Sequence, residues 1–246
     1  MPTPPATWMF ICCMNSRATE FRIAGIAFVL LALLFIALPQ IDLAASGAFF
    51  QATGQWQPPE EGLIRGLAYR GLPRLGQLLL GVLTLLLLLG LSDRLPRLKT
   101  RRVVFGFLLA SALLGPVLLV DYSLKGHFGR ARPAQVQEFG GDRQFTPAFV
   151  PSEQCKGNCS FVSGHVSTAA FIMAFGWLGA PKIRRRWLIA SLAFAGYFAW
   201  ARMSAGGHFL SDTIFAWFAT YYCLWLTEWI FRRMGWLPKP DRSQIT

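Results

Sequence analysis

Three stretches of the chain hold side chains that could do chemistry together. The first is Lys125-Gly-His-Phe-Gly-Arg-Ala-Arg132-Pro133, the second is Ser163-Gly164-His165, and the third runs from Arg202 through Gly206, Gly207 and His208 to Asp212. Lys125, Arg132 and Arg202 supply three fixed cations, two of them guanidiniums suited to paired contacts with an oxyanion. Ser163 and the Gly164 amide stand where a helix begins, a position that offers free N–H groups to an anion. The ligand that suits this set is a dianion such as phosphate. His208 and Asp212 are four apart and would share one helix face. A carboxylate there can bond one imidazole nitrogen and leave the other free as a nucleophile. His165 is then available as general acid for a leaving oxygen. Gly206 and Gly207 would let the backbone come close to a substrate. Each piece alone is ordinary: Arg-Pro marks a turn, Ser-Gly-His a helix cap, His and Asp at this spacing a structural pair. Their joint occurrence is what points to chemistry. For His127 and Arg130, within the first stretch, local packing or a contact at the rim is the expectation.

The elements that must position these residues are read from composition. The 246 residues are 54% hydrophobic and 15% charged, where soluble domains carry about a quarter charged. Mean hydropathy is +0.41. Disorder is excluded and a soluble globule disfavoured. A helix needs about 20 largely apolar residues to cross a bilayer. Residues 23–39, 76–91, 103–120, 187–202 and 211–231 qualify if helix extends into their flanks, and 166–181 is a shorter, uncharged, Ala- and Gly-rich sixth. The alternation of a membrane β-barrel is absent, so the expected fold is all-α, a bundle of six membrane helices. If six helices alternate, residues 17–22, 94–102, 182–186 and 232–242 share one side. That side holds 15 of the 24 basic residues against only Glu20, Asp93, Glu228 and Asp241. Nearly all of the +12 excess therefore lies there, which makes it cytoplasmic, with both termini. The excess is a topology signal, and nucleic-acid binding loses its support.

Two long segments then face outward, 40–74 and 121–165, and all three histidines lie on that side. Residues 63–69 form an amphipathic stretch, either a helix lying in the membrane interface or one packed over the mouth of the bundle. An oxidising compartment favours a disulfide between Cys155 and Cys159, with two free thiols as the alternative. Two thiolates without further ligands nearby make no metal site. Asn158-Cys159-Ser160 matches a glycosylation acceptor in form only, and Cys223 reads as a small core residue. Residues 1–15 carry an apolar run, 8–11, too short for a signal-peptide core, and translation could equally start at Met1 or Met14.

Lys125-x6-Arg132-Pro133, Ser163-Gly164-His165 and Arg202-x5-His208-x3-Asp212 together resemble the three signature motifs of the type 2 phosphatidic acid phosphatase superfamily. Val162 and Ala201 stand where that family usually has Pro and Ser, positions that supply no catalytic chemistry. The resemblance covers residues 20–232, leaving 1–19 as an N-terminal extension and 233–246 as a cytoplasmic tail. It implies a six-helix membrane bundle with a core like that of vanadium haloperoxidases and an active site needing no metal or other cofactor. It further implies that His208 forms a phosphohistidine, that Asp212 orients it and that His165 protonates the leaving group. Lys125, Arg132, Ser163, Gly164 and Arg202 would hold the phosphate oxygens.

A site at the membrane–water boundary suits a phosphorylated membrane lipid as partner. The residues Phe139-Gly140-Gly141, Phe145-x-Pro147 and Cys155-x3-Cys159-Ser-Phe are similar to those of bacterial lipid A phosphatases, 4′-phosphatases above all. The expected activity is hydrolysis of a lipid phosphate monoester at the periplasmic face of the bacterial inner membrane. Undecaprenyl-diphosphate and phosphatidylglycerophosphate phosphatases share the same core motifs. A phosphotransferase, in which a second lipid replaces water, is a close rival. Vanadate-dependent oxidation and a non-enzymatic anion-binding carrier are more distant ones, and the carrier leaves both histidines idle. The sequence does not fix the oligomeric state.

Overall fold

The computed structural model describes residues 17–58 and 62–238. Most of the proposed N-terminal extension, the acidic pair Glu60 and Glu61, and the tail beyond Pro238 lie outside the described residues. Among the described residues the chain is helical, and its one β-type pairing is an isolated bridge between Val136 and Arg143. Helix α1 is Arg17–Ala37, α2 Gln40–Gly47 and α3 Leu63–Leu89. Helix α4 starts at Pro96, whose fixed φ suits a first helical turn, and runs to His127 through a π-helical segment, Leu113–Leu124. Helix α5, Gly164–Ala170, continues through a 3₁₀ turn at Phe171–Met173 and a last turn at Ala174–Trp177. Helices α6, Pro181–Ser204, and α7, Leu210–Arg233, complete the set.

Among the described residues three helices are long and apolar enough to cross a membrane: α1, the Tyr69–Leu89 part of α3, and α4, with mean hydropathies of 2.2, 1.9 and 2.5. The first two are also the least buried. Phe35 is the one fully buried residue of α1, while Ile26, Leu30 and Leu33 are exposed. Helices α5 and α7 are the reverse. Nearly every residue of α5 is buried, and it packs against α6 and α7. Its alanines and glycines let neighbouring backbones approach, which is what holds helices together where lipid offers no hydrophobic drive. Helix α7 buries Ser211, Thr213, Thr220 and Thr227 among its aromatics. A helix enclosed by others need not be apolar, and this explains why 166–181 reads weakly as a span. The amphipathic residues 63–69 are not a separate interfacial element: they are the first turns of α3, which passes unbroken through Pro73 into its apolar part.

One end of the bundle is closed by an ionic clasp. Arg184 donates to both oxygens of Glu20 at 2.9 and 2.7 Å, and its guanidinium lies 3.6 Å over the Trp177 ring. Tyr221 donates to Glu20, while Trp177 Nε1, Arg17 and Arg232 all donate to Glu228. This ties α1, α5, α6 and α7 together. Arg17, Arg184 and Arg232 are therefore structural partners as well as part of the basic excess, and Arg97, Arg101, Arg102, Lys182, Arg185 and Arg186 remain exposed.

Candidate active site

The opposite ends of α4, α5, α6 and α7 meet around His208. This residue lies in the turn between α6 and α7, just before Leu210 opens the last helix. The expectation that His208 and Asp212 share a helix face is corrected accordingly. Asp212 is helical, His208 is not, and their closest approach is 3.8 Å, beyond a hydrogen bond. The imidazole Nδ1 instead lies 2.8 Å from the Ser160 carbonyl. A carbonyl can only accept, so Nδ1 carries the hydrogen and Nε2 keeps its lone pair. Asp212 acts on this arrangement through Ser160, whose hydroxyl donates to Asp212 Oδ2 at 2.5 Å. The same oxygen accepts from the Phe209 amide at 2.8 Å, closing the turn that carries His208.

Beneath the turn lies a network that the sequence did not announce. Arg130, expected to be packing or rim, is at its centre. Its guanidinium donates to Asp212 at 2.5 Å, to Asp42 of α2 at 2.8 Å, to the Ser211 hydroxyl at 2.9 Å and to the Thr146 carbonyl at 2.8 Å. Asp42 also accepts from the Ser211 amide and hydroxyl at 2.8 and 2.6 Å. The ring of Phe209 lies 4.3 Å under the guanidinium. Arg130, Asp42, Asp212, Ser160, Ser211 and His208 are all at most 1% exposed. Two buried carboxylates sharing one guanidinium are tolerable only because every oxygen is bonded.

The expected cations gather on the open side. A Cβ built on Gly164 would lie 2.6 Å from Lys125 Nζ and 2.5 Å from Asp121 Oδ1, so the side-chain ends of Lys125 and Asp121 rest directly on the Gly164 backbone at the start of α5. Lys125 is paired with Asp121 at 2.6 Å. A Cβ on Gly207 would lie 2.4 Å from the Arg202 guanidinium, which folds across the His208 turn and stacks 4.9 Å from the Tyr69 ring. Arg132 donates to the Asn158 carbonyl at 2.8 Å, and burial lowers its pKa. Ser163 caps α5, and its amide donates to the Asp212 carbonyl at 3.0 Å. His165 stacks on Tyr69 at 5.1 Å, with Nε2 3.1 Å from the Tyr69 carbonyl. His127 lies apart, bonded to its own helix at Ser123. Cys155 and Cys159 form a disulfide, so the open alternative of free thiols falls away.

Electrostatics follows from this crowding of cations. Burial is the main cause that pushes His208 down to about 3, and Arg202 and Arg132 add to it. Burial, then Arg202 and Lys125, push His165 down to about 4. Both rings are neutral near pH 7. Among the described residues no three of His, Cys, Asp and Glu gather into a metal-holding group. The charge available to an incoming ligand is that of Lys125, Arg132 and Arg202. Such a site can hold a tetrahedral dianion beside a neutral imidazole with a free lone pair.

Comparison with known proteins agrees with this chemistry. The chain is 34% identical over 196 residues to a lipid A 4′-phosphatase of Francisella tularensis subsp. novicida (strain U112), covering 78% of this chain and 86% of that one. It is 41% identical over 113 residues to a lipid A 4′-phosphatase of Rhizobium leguminosarum (46% and 48% of the two chains). For one of Rhizobium etli the figures are 38% over 123 residues (50% and 47%), so the match spans about half of either Rhizobium protein. No solved structure matches. The family model of the PAP2 superfamily matches residues 101–236, from the first turns of α4 to the end of α7, and the chain belongs to that superfamily.

Proposed function

We propose that this protein is a lipid phosphomonoesterase that removes a phosphate from lipid A, at the 4′ position, through a phosphohistidine formed on His208. The observation that carries the reading is the meeting of three distant stretches at one end of the bundle, with His208 Nε2 unprotonated near Arg202 and Arg132, and Lys125 against Gly164 at the start of α5. The lipid A relatives support the substrate. The basic excess at the clasped end supports six spans with the site on the periplasmic side of the inner membrane.

The course of reaction follows from the geometry. Lys125, Arg132, Arg202 and the Gly164 amide neutralise the phosphoryl oxygens, a stabilisation that grows as charge spreads over them in the transition state. Nε2 of His208 attacks phosphorus in line, the P–N bond forms and the P–O bond to the sugar oxygen breaks. His165, with Nε2–H held by the Tyr69 carbonyl, takes up a second proton at Nδ1 when the dianion fills the cradle and delivers it to that oxygen. The phosphorylated ring is cationic, and Asp212 at 3.8 Å offsets its charge while the Ser160 carbonyl keeps the Nδ1 proton. Water then gives a proton back to His165 and attacks phosphorus, the P–N bond breaks and phosphate leaves.

The test is phosphate release from lipid A by the purified protein in detergent, with the product phosphate position read by mass spectrometry. His208→Ala should lower turnover by about 10⁴-fold or more while the thermal melt stays unchanged. Retained turnover in that variant removes the nucleophile. Added chelator should leave the rate unchanged, and a rate that returns only with added divalent cation would contradict the mechanism.

A further inference from the structure

We propose that the cavity walled by Gln135, Arg143, Glu153, Gln154, Cys155 and Lys156 is a headgroup subsite, which holds a hydroxylated, anion-bearing sugar while that sugar's phosphate ester lies against His208. The proposal rests on the phosphatase reading of the centre. The cavity measures about 430 Å³, within the range of roughly 300–1,000 Å³ usual for small-molecule sites.

Its walls are joined to the phosphate cradle by hydrogen bonds through a single residue. The Gln135 side-chain oxygen accepts from the Arg132 amide at 3.0 Å, and the Arg132 guanidinium donates to Asn158 in the disulfide loop that carries Cys155 and Lys156. A ligand in the cavity and a phosphate on Arg132 are thus held by one piece of backbone. That piece is pinned. Gln135 and Arg143 are paired through Arg143 N–H to Gln135 O at 2.9 Å. Gln144 N–H donates to the Gln154 side chain at 3.0 Å, and the disulfide closes the far rim.

The chemistry of the lining selects the occupant. Two cations, a carboxylate and two amides surround the space, with no large apolar side chain among them. An acyl chain there would strip water from charged groups without replacing their bonds. A sugar ring offers hydroxyl and amide N–H donors to Glu153 and the glutamine oxygens, and a second anionic substituent answers Arg143 and Lys156. Arg143 has a single weak ionic partner, Asp142 at 3.4 Å, and Lys156 has none among the described residues. Their charges are therefore available to a ligand, whereas Arg130 and Arg184 are committed to the protein.

The experiment uses the full chain in nanodiscs of phosphate-free lipid and the double substitution Arg143→Gln with Lys156→Gln. The probe is a bisphosphorylated glucosamine-disaccharide lipid. The expected result is a KM raised about tenfold, the scale of two solvent-screened ionic contacts, with kcat and the inhibition constant of vanadate unchanged. Vanadate reads the cradle alone. An unchanged KM overturns the subsite, and so does an equal weakening of vanadate, which would make the two residues mere supports of the loop. If the unsubstituted protein releases no phosphate, the phosphatase reading has failed separately. Direct binding of the same lipid then decides: weaker in the double variant supports the subsite, equal in both overturns it.

Discussion

At the scale of residues, the site rests on how each imidazole holds its proton. His208 is set by a backbone carbonyl, with Asp212 one bond removed. His165 is held neutral by burial and by Arg202 and Lys125, with Asp121 the one acid opposing them. A bound dianion offsets those two cations and favours the charged ring, so the pKa of His165 rises when the cradle fills. Between the value of about 4 and the raised one, binding takes up a proton. Affinity for an anion must then increase as pH falls. Sulfate tests this, because it does not itself titrate near neutrality. Its inhibition constant should drop by up to about tenfold per pH unit as pH is lowered from 8 to 6, and His165→Ala should flatten the profile. A sulfate constant independent of pH would detach His165 from the cradle. The types of the catalytic residues were legible because holding phosphate and attacking it demands Lys, Arg and His. Ser160 was not, since its contribution to His208 is a main-chain oxygen that any residue carries.

At the scale of elements, Arg130 decides how four pieces of chain fit. It joins the loop after α4 to α2, to the start of α7 and to the segment at Thr146. Removing it strands two buried carboxylates, a loss on the scale of 3–5 kcal/mol, roughly the cost of breaking a buried pair. Arg130→Lys keeps the charge but not the planar fork that reaches four partners at once. The expected outcome is a lowered melting temperature for both Arg130→Ala and Arg130→Lys, with Lys intermediate, and a kcat for Lys reduced more than KM is raised. Melting and steady-state kinetics in detergent check both. A Lys variant with full kcat would show that the network is not needed to hold the His208 turn. Asp42 stands 88 residues from Arg130 in sequence, within a short amphipathic helix. No spacing rule links the two, which is why the sequence left Arg130 without a role. Tyr69 escaped for a similar reason: residues 63–69 read as a helix either in the membrane interface or over the mouth of the bundle, and only the structure runs them into α3 and sets Tyr69 against His165.

At the scale of the whole molecule, two unlike ends define the bundle. One carries the cradle and the disulfide loop, and the other the clasp around Glu20 and Glu228 with the exposed arginines beyond it. In the proposed topology the charge bias turns the clasped end inward. Single cysteines introduced by Arg97→Cys, Arg185→Cys and Gln144→Cys, in a chain whose other free cysteines are replaced, report this directly. In intact spheroplasts a membrane-impermeant maleimide should label position 144 at once, and positions 97 and 185 only after permeabilisation. The reverse pattern would put the site on the cytoplasmic face and require a cytoplasmic substrate.

The sequence by itself determined the helical class and the phosphatase chemistry, and it named the residues proposed to carry that chemistry. These follow from composition and from side-chain types, both of which are local quantities. Tertiary structure alone decided that Arg130 belongs to the site and that His208 is oriented by Ser160. It also decided that three of the inner arginines are tied to Glu20 and Glu228. Those are pairings between groups distant along the chain, and a buried charge finds its partner only when the fold has excluded the water that would otherwise take its place.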